Sequence, residues 1–123
     1  MGKDKLLIVD DDARNIFALS AVLKARGYTC LAAGDLHEAL HTMAQEEGIK
    51  VVLLDMMLPE IDGYEALPAI KAVEKYKGIP VIAVTAQAMA GDRERCLRAG
   101  ADGYVSKPVD IDELIRLMNA LIV

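Results

Sequence analysis

Three short aliphatic runs constrain this chain more than any other feature. Leu6–Val9, Val51–Leu54 and Val81–Val84 are near-continuous stretches of Leu, Ile, Val and Ala. Apolar residues at consecutive positions leave no polar face, so strands built from them must be covered on both sides. Tyr28–Ala33 and Tyr104–Ser106 are weaker strand candidates. No run approaches the ~20 residues that span a bilayer, and no secretory apolar segment follows Met1.

Helix-length amphipathic stretches fill the intervals. The first is expected from about Ala13 to Arg26, with Asp12 as N-cap and Gly27 as stop. The second runs from about Leu36 to Glu47, opened by Asp35 and closed by Gly48. A third covers about Tyr64 to Tyr76, with Pro68 expected in or near its first turn. The fourth spans about Met89 to Ala99 and ends at Gly100. The last begins near Asp110, with Ile111, Leu114, Ile115, Met118, Leu121 and Ile122 at helical spacing. Strand and helix thus alternate five times, predicting an α/β fold with a parallel sheet and helices on both faces. Length agrees, since 123 residues suit one domain (residues 1–123).

Such a sheet binds its ligand at the carboxyl ends of its strands. There the sequence is consistent. Leu6–Val9 runs into Asp10, Asp11 and Asp12; Val51–Leu54 into Asp55; Val81–Val84 into Thr85; Tyr104–Val105 into Ser106, Lys107 and Pro108. The second strand ends in Ala33-Gly34 without a reactive group and is expected at an edge. Asp10, Asp11 and Asp55 would crowd three carboxylates together, and one Lys cannot neutralise them. A hard divalent ion resolves the repulsion, and an incomplete oxygen cage with room for water suits Mg²⁺, or Mn²⁺ in its place. A carboxylate beside such an ion, a Lys and a hydroxyl is equipped for phosphoryl transfer. Asp55, alone at the end of an interior-type strand, is the candidate nucleophile. Lys107 would hold charge on the transferring oxygens and Thr85 would donate a hydrogen bond. Asp12 is read as a helix cap.

Composition narrows the partners. Nineteen acids against fourteen Lys and Arg give a net charge of −5, which excludes nucleic acid as main partner. One Phe, four Tyr and no Trp offer little for base stacking. Cys30 and Cys96 form no CxxC site and read as thiols in a reducing, cytoplasmic compartment.

The segments LLIVDDD, VVLLDMMLPEIDGYE and VIAVTAQAMAGDRERCLRAGADGYVSKP resemble the receiver domain of two-component response regulators, over essentially the whole chain. The resemblance implies a flavodoxin-like (βα)5 topology with strand order 2-1-3-4-5. It implies Asp55 as phosphoacceptor, and Asp10 and Asp11 as the acidic pair serving Mg²⁺ with the backbone carbonyl of Met57. Thr85 matches the switch hydroxyl, Lys107 the phosphoryl-pairing lysine and Tyr104 the aromatic switch residue. A cis bond is expected before Pro108. The donor would be a phosphohistidine on a histidine kinase or histidine phosphotransfer protein, and the domain a signalling switch in a phosphorelay rather than an enzyme. The stretch from Thr85 to Tyr104 most resembles receivers of hybrid histidine kinases and some single-domain regulators, and the abrupt ends favour excision from a longer chain over a free-standing regulator.

Rival readings fit less well. An aspartate-nucleophile phosphatase of the haloacid dehalogenase type needs an acid/base two residues after the nucleophile, where Met57 stands. Flavin binding wants a Ser-, Thr- and Gly-rich loop where Asp10-Asp11-Asp12 lies. A phosphorylation-independent binding module would be expected to lack one of Asp55, Thr85 and Lys107, and all are here. His37 and His41 are read as an exposed helical pair without a third ligand, and Met43, Met56, Met57, Met89 and Met118 as core filling or contact surface. The receiver resemblance also implies that Met57 and Gln87 flank the phosphoryl position and shape water access.

Overall fold

Strands with no polar face settle in the middle of the molecule. The computed structural model describes residues 4–58, 61, 63–86 and 90–122. Its strands are β1 (Lys5–Val9), β2 (Thr29–Ala33), β3 (Ile49–Asp55), β4 (Val81–Thr85) and β5 (Gly103–Ser106). All pair in parallel, in the order β2-β1-β3-β4-β5. The topology is flavodoxin-like, as the resemblance implies. Every residue of β4 is buried, whereas β2, poorest in branched aliphatics, is half exposed at the edge.

Alternate side chains enter opposite layers. Leu7, Val9, Val52, Leu54 and Ala83 face one core, covered by α2 (Leu36–Gln45), α3 (Gly63–Lys71) and α4 (Asp92–Arg98). Leu6, Ile8, Val51, Leu53, Ile82 and Val84 face the other, covered by α1 (Ala13–Ala25) and α5 (Ile111–Leu121). In α5, Leu114 and Met118 are fully buried while Ile115, Leu121 and Ile122 pack around them. Met43 and Met56 fill the first core, but Met57 is exposed.

The expected caps hold. Asp12 Oδ1 accepts from the Arg14 N–H at 2.9 Å and Asp35 from Glu38 at 2.7 Å; Asp110, where the last helix is expected to begin, caps it by accepting from Glu113 at 3.2 Å. Gly27, Gly48 and Gly100 follow their helices at φ of +96°, +85° and +115°, a region where a Cβ is strained. Cys30 and Cys96 are free thiols, and His37 and His41 are exposed.

Helix three departs from expectation. It ends at Lys71, and Pro68 lies inside it, beyond the first turn. Proline has no N–H for the Tyr64 carbonyl, and the segment passes into a 3₁₀ turn at Glu74–Tyr76 instead of continuing. The helix starts where it does because the Gly63 N–H donates to the Met56 carbonyl at 3.0 Å. A Cβ on Gly63 would overlap Met56, so this loop closes over β3 only with glycine there. Helices one and two also stop slightly early, at Ala25 and Gln45. In helix four, the expected start at Met89 lies outside the described residues, as does Gln87.

Burial predicts stability. Leu114→Ala should cost about 2–5 kcal/mol in urea unfolding, against ~0.5 kcal/mol or less for the equally apolar but 77% exposed Phe17→Ala.

Candidate functional site

Strand register alone brings the site together. Val9 pairs with Leu54, so Asp10, the next residue, lies beside Asp55. Asp55 pairs with Val84, and Thr85 pairs with Ser106, which sets Thr85 and Lys107 along the same edge. Backbone bonds carry the ladder past its last residues: the Asp10 N–H donates to Ala33, Met56 to Val84 and Lys107 to Thr85, at 2.8–3.0 Å.

Carboxylate oxygens of Asp10, Asp11 and Asp55 lie within 4.8 Å of one another. Asp10 and Asp55 are buried and Asp11 is exposed. The Lys107 ammonium is 3.6 Å from Asp10 Oδ2 and 3.5 Å from Asp55 Oδ2, reaching between the two. Main chain holds the other oxygens: Asp12 N–H donates to Asp10 Oδ1 and Met57 N–H to Asp55 Oδ1, both at 2.9 Å. These bonds fix both carboxyls without neutralising them. Burial, and then the neighbouring Asp55, push the Asp10 carboxyl above its usual range, against the opposing Asp12 N–H and Lys107. Asp12 behaves as a cap, its pKa lowered chiefly by the Arg14 N–H.

Ionised, three carboxylates and one ammonium leave the cluster doubly negative. Its donors are all hard oxygens, the set that suits Mg²⁺. The residues fit the ion. Thr85 is buried at the end of β4, and the bond between Lys107 and Pro108 is cis. A cleft of about 550 Å³ opens beside the cluster, lined by Asn15, Ala18, Leu19, Val22 and Pro108 and reaching Asp55.

The model of the response regulator receiver domain matches residues 6–119. The chain belongs to this family. It is 36% identical over 115 residues to the polar-differentiation response regulator DivK of Brucella ovis, spanning 94% of this chain and 93% of that one. A putative response regulator from Chloroflexus aurantiacus superposes with a TM-score of 0.90 at 30% identity, over 98% of each chain. The receiver domain of the Pseudomonas aeruginosa sensor histidine kinase PA1611, whose active-site cleft coordinates magnesium, gives 0.86 at 36% identity over 98% of each chain. Receiver domains are signalling domains that bind Mg²⁺ at an acidic pocket, and Asp10, Asp11 and Asp55 form an acidic cluster at the strand ends of this one. No helix among the described residues is long and apolar enough to cross a membrane.

One group in this receiver escaped the sequence reading. The Tyr104 hydroxyl donates to Asp92 Oδ2 at 2.9 Å, and the Tyr64 hydroxyl donates to Asp92 Oδ1. Asp92 opens α4, Tyr64 lies in the first turn of α3 and Tyr104 in β5. Sequence spacing carries no signal for a cluster drawn from three elements.

The raised Asp10 pKa sets a sign. A carboxyl harder to ionise in the folded state destabilises the fold at neutral pH, and this penalty vanishes below the ordinary value of 3.8, where it is protonated folded or unfolded. In EDTA at pH 7, Asp10→Asn should therefore raise the urea midpoint, and the gain should shrink as pH falls toward 3.8.

Proposed function

We propose that this receiver is a phosphoacceptor switch in which Asp55 takes a phosphoryl group from a phosphohistidine of a histidine kinase or histidine phosphotransfer protein. The observation that carries the reading is the Asp55 carboxylate, buried at the sheet edge, 3.5 Å from Lys107 and clustered with Asp10 and Asp11. An Asp55 oxygen attacks phosphorus, the N–P bond to the donor imidazole breaks, and the ring leaves, taking a proton from water. The Met57 N–H holds the Asp55 carboxyl in one orientation for that attack. Lys107 pairs with the transferred oxygens, and Thr85, next along the edge, donates its hydroxyl to them. Asp10, Asp11, Asp55 and the Met57 carbonyl would hold Mg²⁺. Bound there, the ion neutralises the carboxylates and offsets charge on the transferring phosphoryl group.

The donor must bring its imidazole to Asp55 from outside. The apolar cleft at Asp55 and the 77% exposed Phe17 of α1 offer a surface for it. Once attached, the phosphoryl group draws Thr85 toward it and Tyr104 repacks, biasing two pre-existing conformations and reshaping the partner surface. A phosphatase would need a proton donor where the thioether of Met57 stands.

Acetyl phosphate with Mg²⁺ should add one phosphoryl group by intact mass. Asp55→Asn should abolish that label, and chelation should slow it by on the order of tenfold or more. Labelling of Asp55→Asn at the wild-type level overturns the reading. Thr85→Ala should still be labelled but show weaker hydrogen-exchange changes across β5; an undiminished response sinks the switch half.

Met57 bears on signal lifetime. Its side chain is 49% exposed two residues from Asp55, where a bulky apolar group hinders an approaching water. Met57→Ala or Met57→Asn should speed phosphate loss several-fold, and equal decay rates would refute the assignment.

A further inference from the structure

Asp92 is a buried carboxylate with two phenol donors, and no salt bridge reaches it among the described residues. Each of its oxygens is taken by a different tyrosine from a different element. A buried carboxylate oxygen stripped of its donor is costly, because water cannot replace the lost bond. The two phenols are therefore not independent. If the Tyr104 hydroxyl moves away, Oδ2 loses its donor, and the Asp92 carboxyl must turn or follow. Either motion disturbs Oδ1 and the Tyr64 hydroxyl bound to it.

Tyr64 is held in turn to α4. The Cys96 thiol donates to its hydroxyl at 3.8 Å, and the Arg95 guanidinium lies 3.7 Å from the centre of its ring. Burial, and then the bond to Asp92, keep the Tyr104 phenol protonated, with its pKa pushed up to about 12. Burial and the same carboxylate also raise that of Tyr64. Both tyrosines thus remain donors throughout the physiological range.

We propose that Asp92 is a positioning residue that links Tyr104 in β5 to Tyr64 in α3, so that displacement of the switch tyrosine is conveyed to the α3–α4 face. This rests on the phosphoacceptor reading of Asp55, which supplies the displacement. It extends that reading by naming a route that Thr85 and Lys107 do not contain, through a group on the opposite side of the sheet from α1 and α5.

Tyrosine ring resonances in protein labelled with ¹³C-tyrosine test the link, with intact mass recorded on the same samples. In the wild type, phosphorylation by acetyl phosphate and Mg²⁺ should shift the resonances of both Tyr104 and Tyr64. In Asp92→Ala the mass should show the phosphoryl group and Tyr104 should still shift, while the Tyr64 shift is lost. Tyr104→Phe keeps the ring and removes one donor, so it should also abolish the Tyr64 shift, and it serves should Asp92→Ala fail to fold. A Tyr64 shift that persists at full size in either variant overturns the inference, as does a wild type that is phosphorylated without any Tyr64 shift. Absence of label on the wild type would instead mark failure of the Asp55 reading, and the inference would fall with it.

Discussion

Two carboxylates held side by side at a buried sheet edge are the constraint on which the rest of this receiver turns. Parallel pairing of Val9 with Leu54 leaves Asp10 and Asp55 side by side at the ends of adjacent strands. Main-chain N–H groups from Asp12 and Met57 orient the carboxyls but do not discharge them. Lys107 reaches both at about 3.5 Å, yet Asp11 keeps the balance negative. The fold tolerates that excess, and an acidic pocket suited to a hard cation is the result.

Keeping such a pocket in place requires a rigid floor. The sheet provides it, since β1, β3 and β4 are apolar on both faces and sealed by helices on each side. The strands cannot slip by one residue without exchanging their two cores, so their ends stay in register. Side chains at the ends therefore sit where loops alone could not hold them. The same rigidity makes the periphery the place where change is possible, and Tyr104 lies there, half-buried on the edge strand β5.

Legibility followed locality. Asp10, Asp11, Asp55, Thr85 and Lys107 could be read because each follows an apolar run, and parallel topology puts all such positions on one edge. Asp12 and Asp35 are legible as caps because a cap bonds two or three residues ahead. The third helix ends at Lys71 and not near Tyr76, because a proline inside it withholds one N–H and the chain tightens into a 3₁₀ turn, a break that the apolar periodicity of Tyr64–Tyr76 does not record. Asp92 was passed over altogether. Its partners are 28 and 12 residues away, on elements whose approach only the finished fold defines.

By itself, then, the sequence determined the strand cores, their parallel arrangement and the kind of chemistry at their ends, because alternation of apolar and amphipathic segments is a local property of the chain. Tertiary structure decided which of the two cores each helix covers, where the third helix breaks, and how one carboxylate comes to hold two tyrosines. Those depend on side chains meeting across elements, and the energy of such a meeting is set by burial and geometry that no single segment contains.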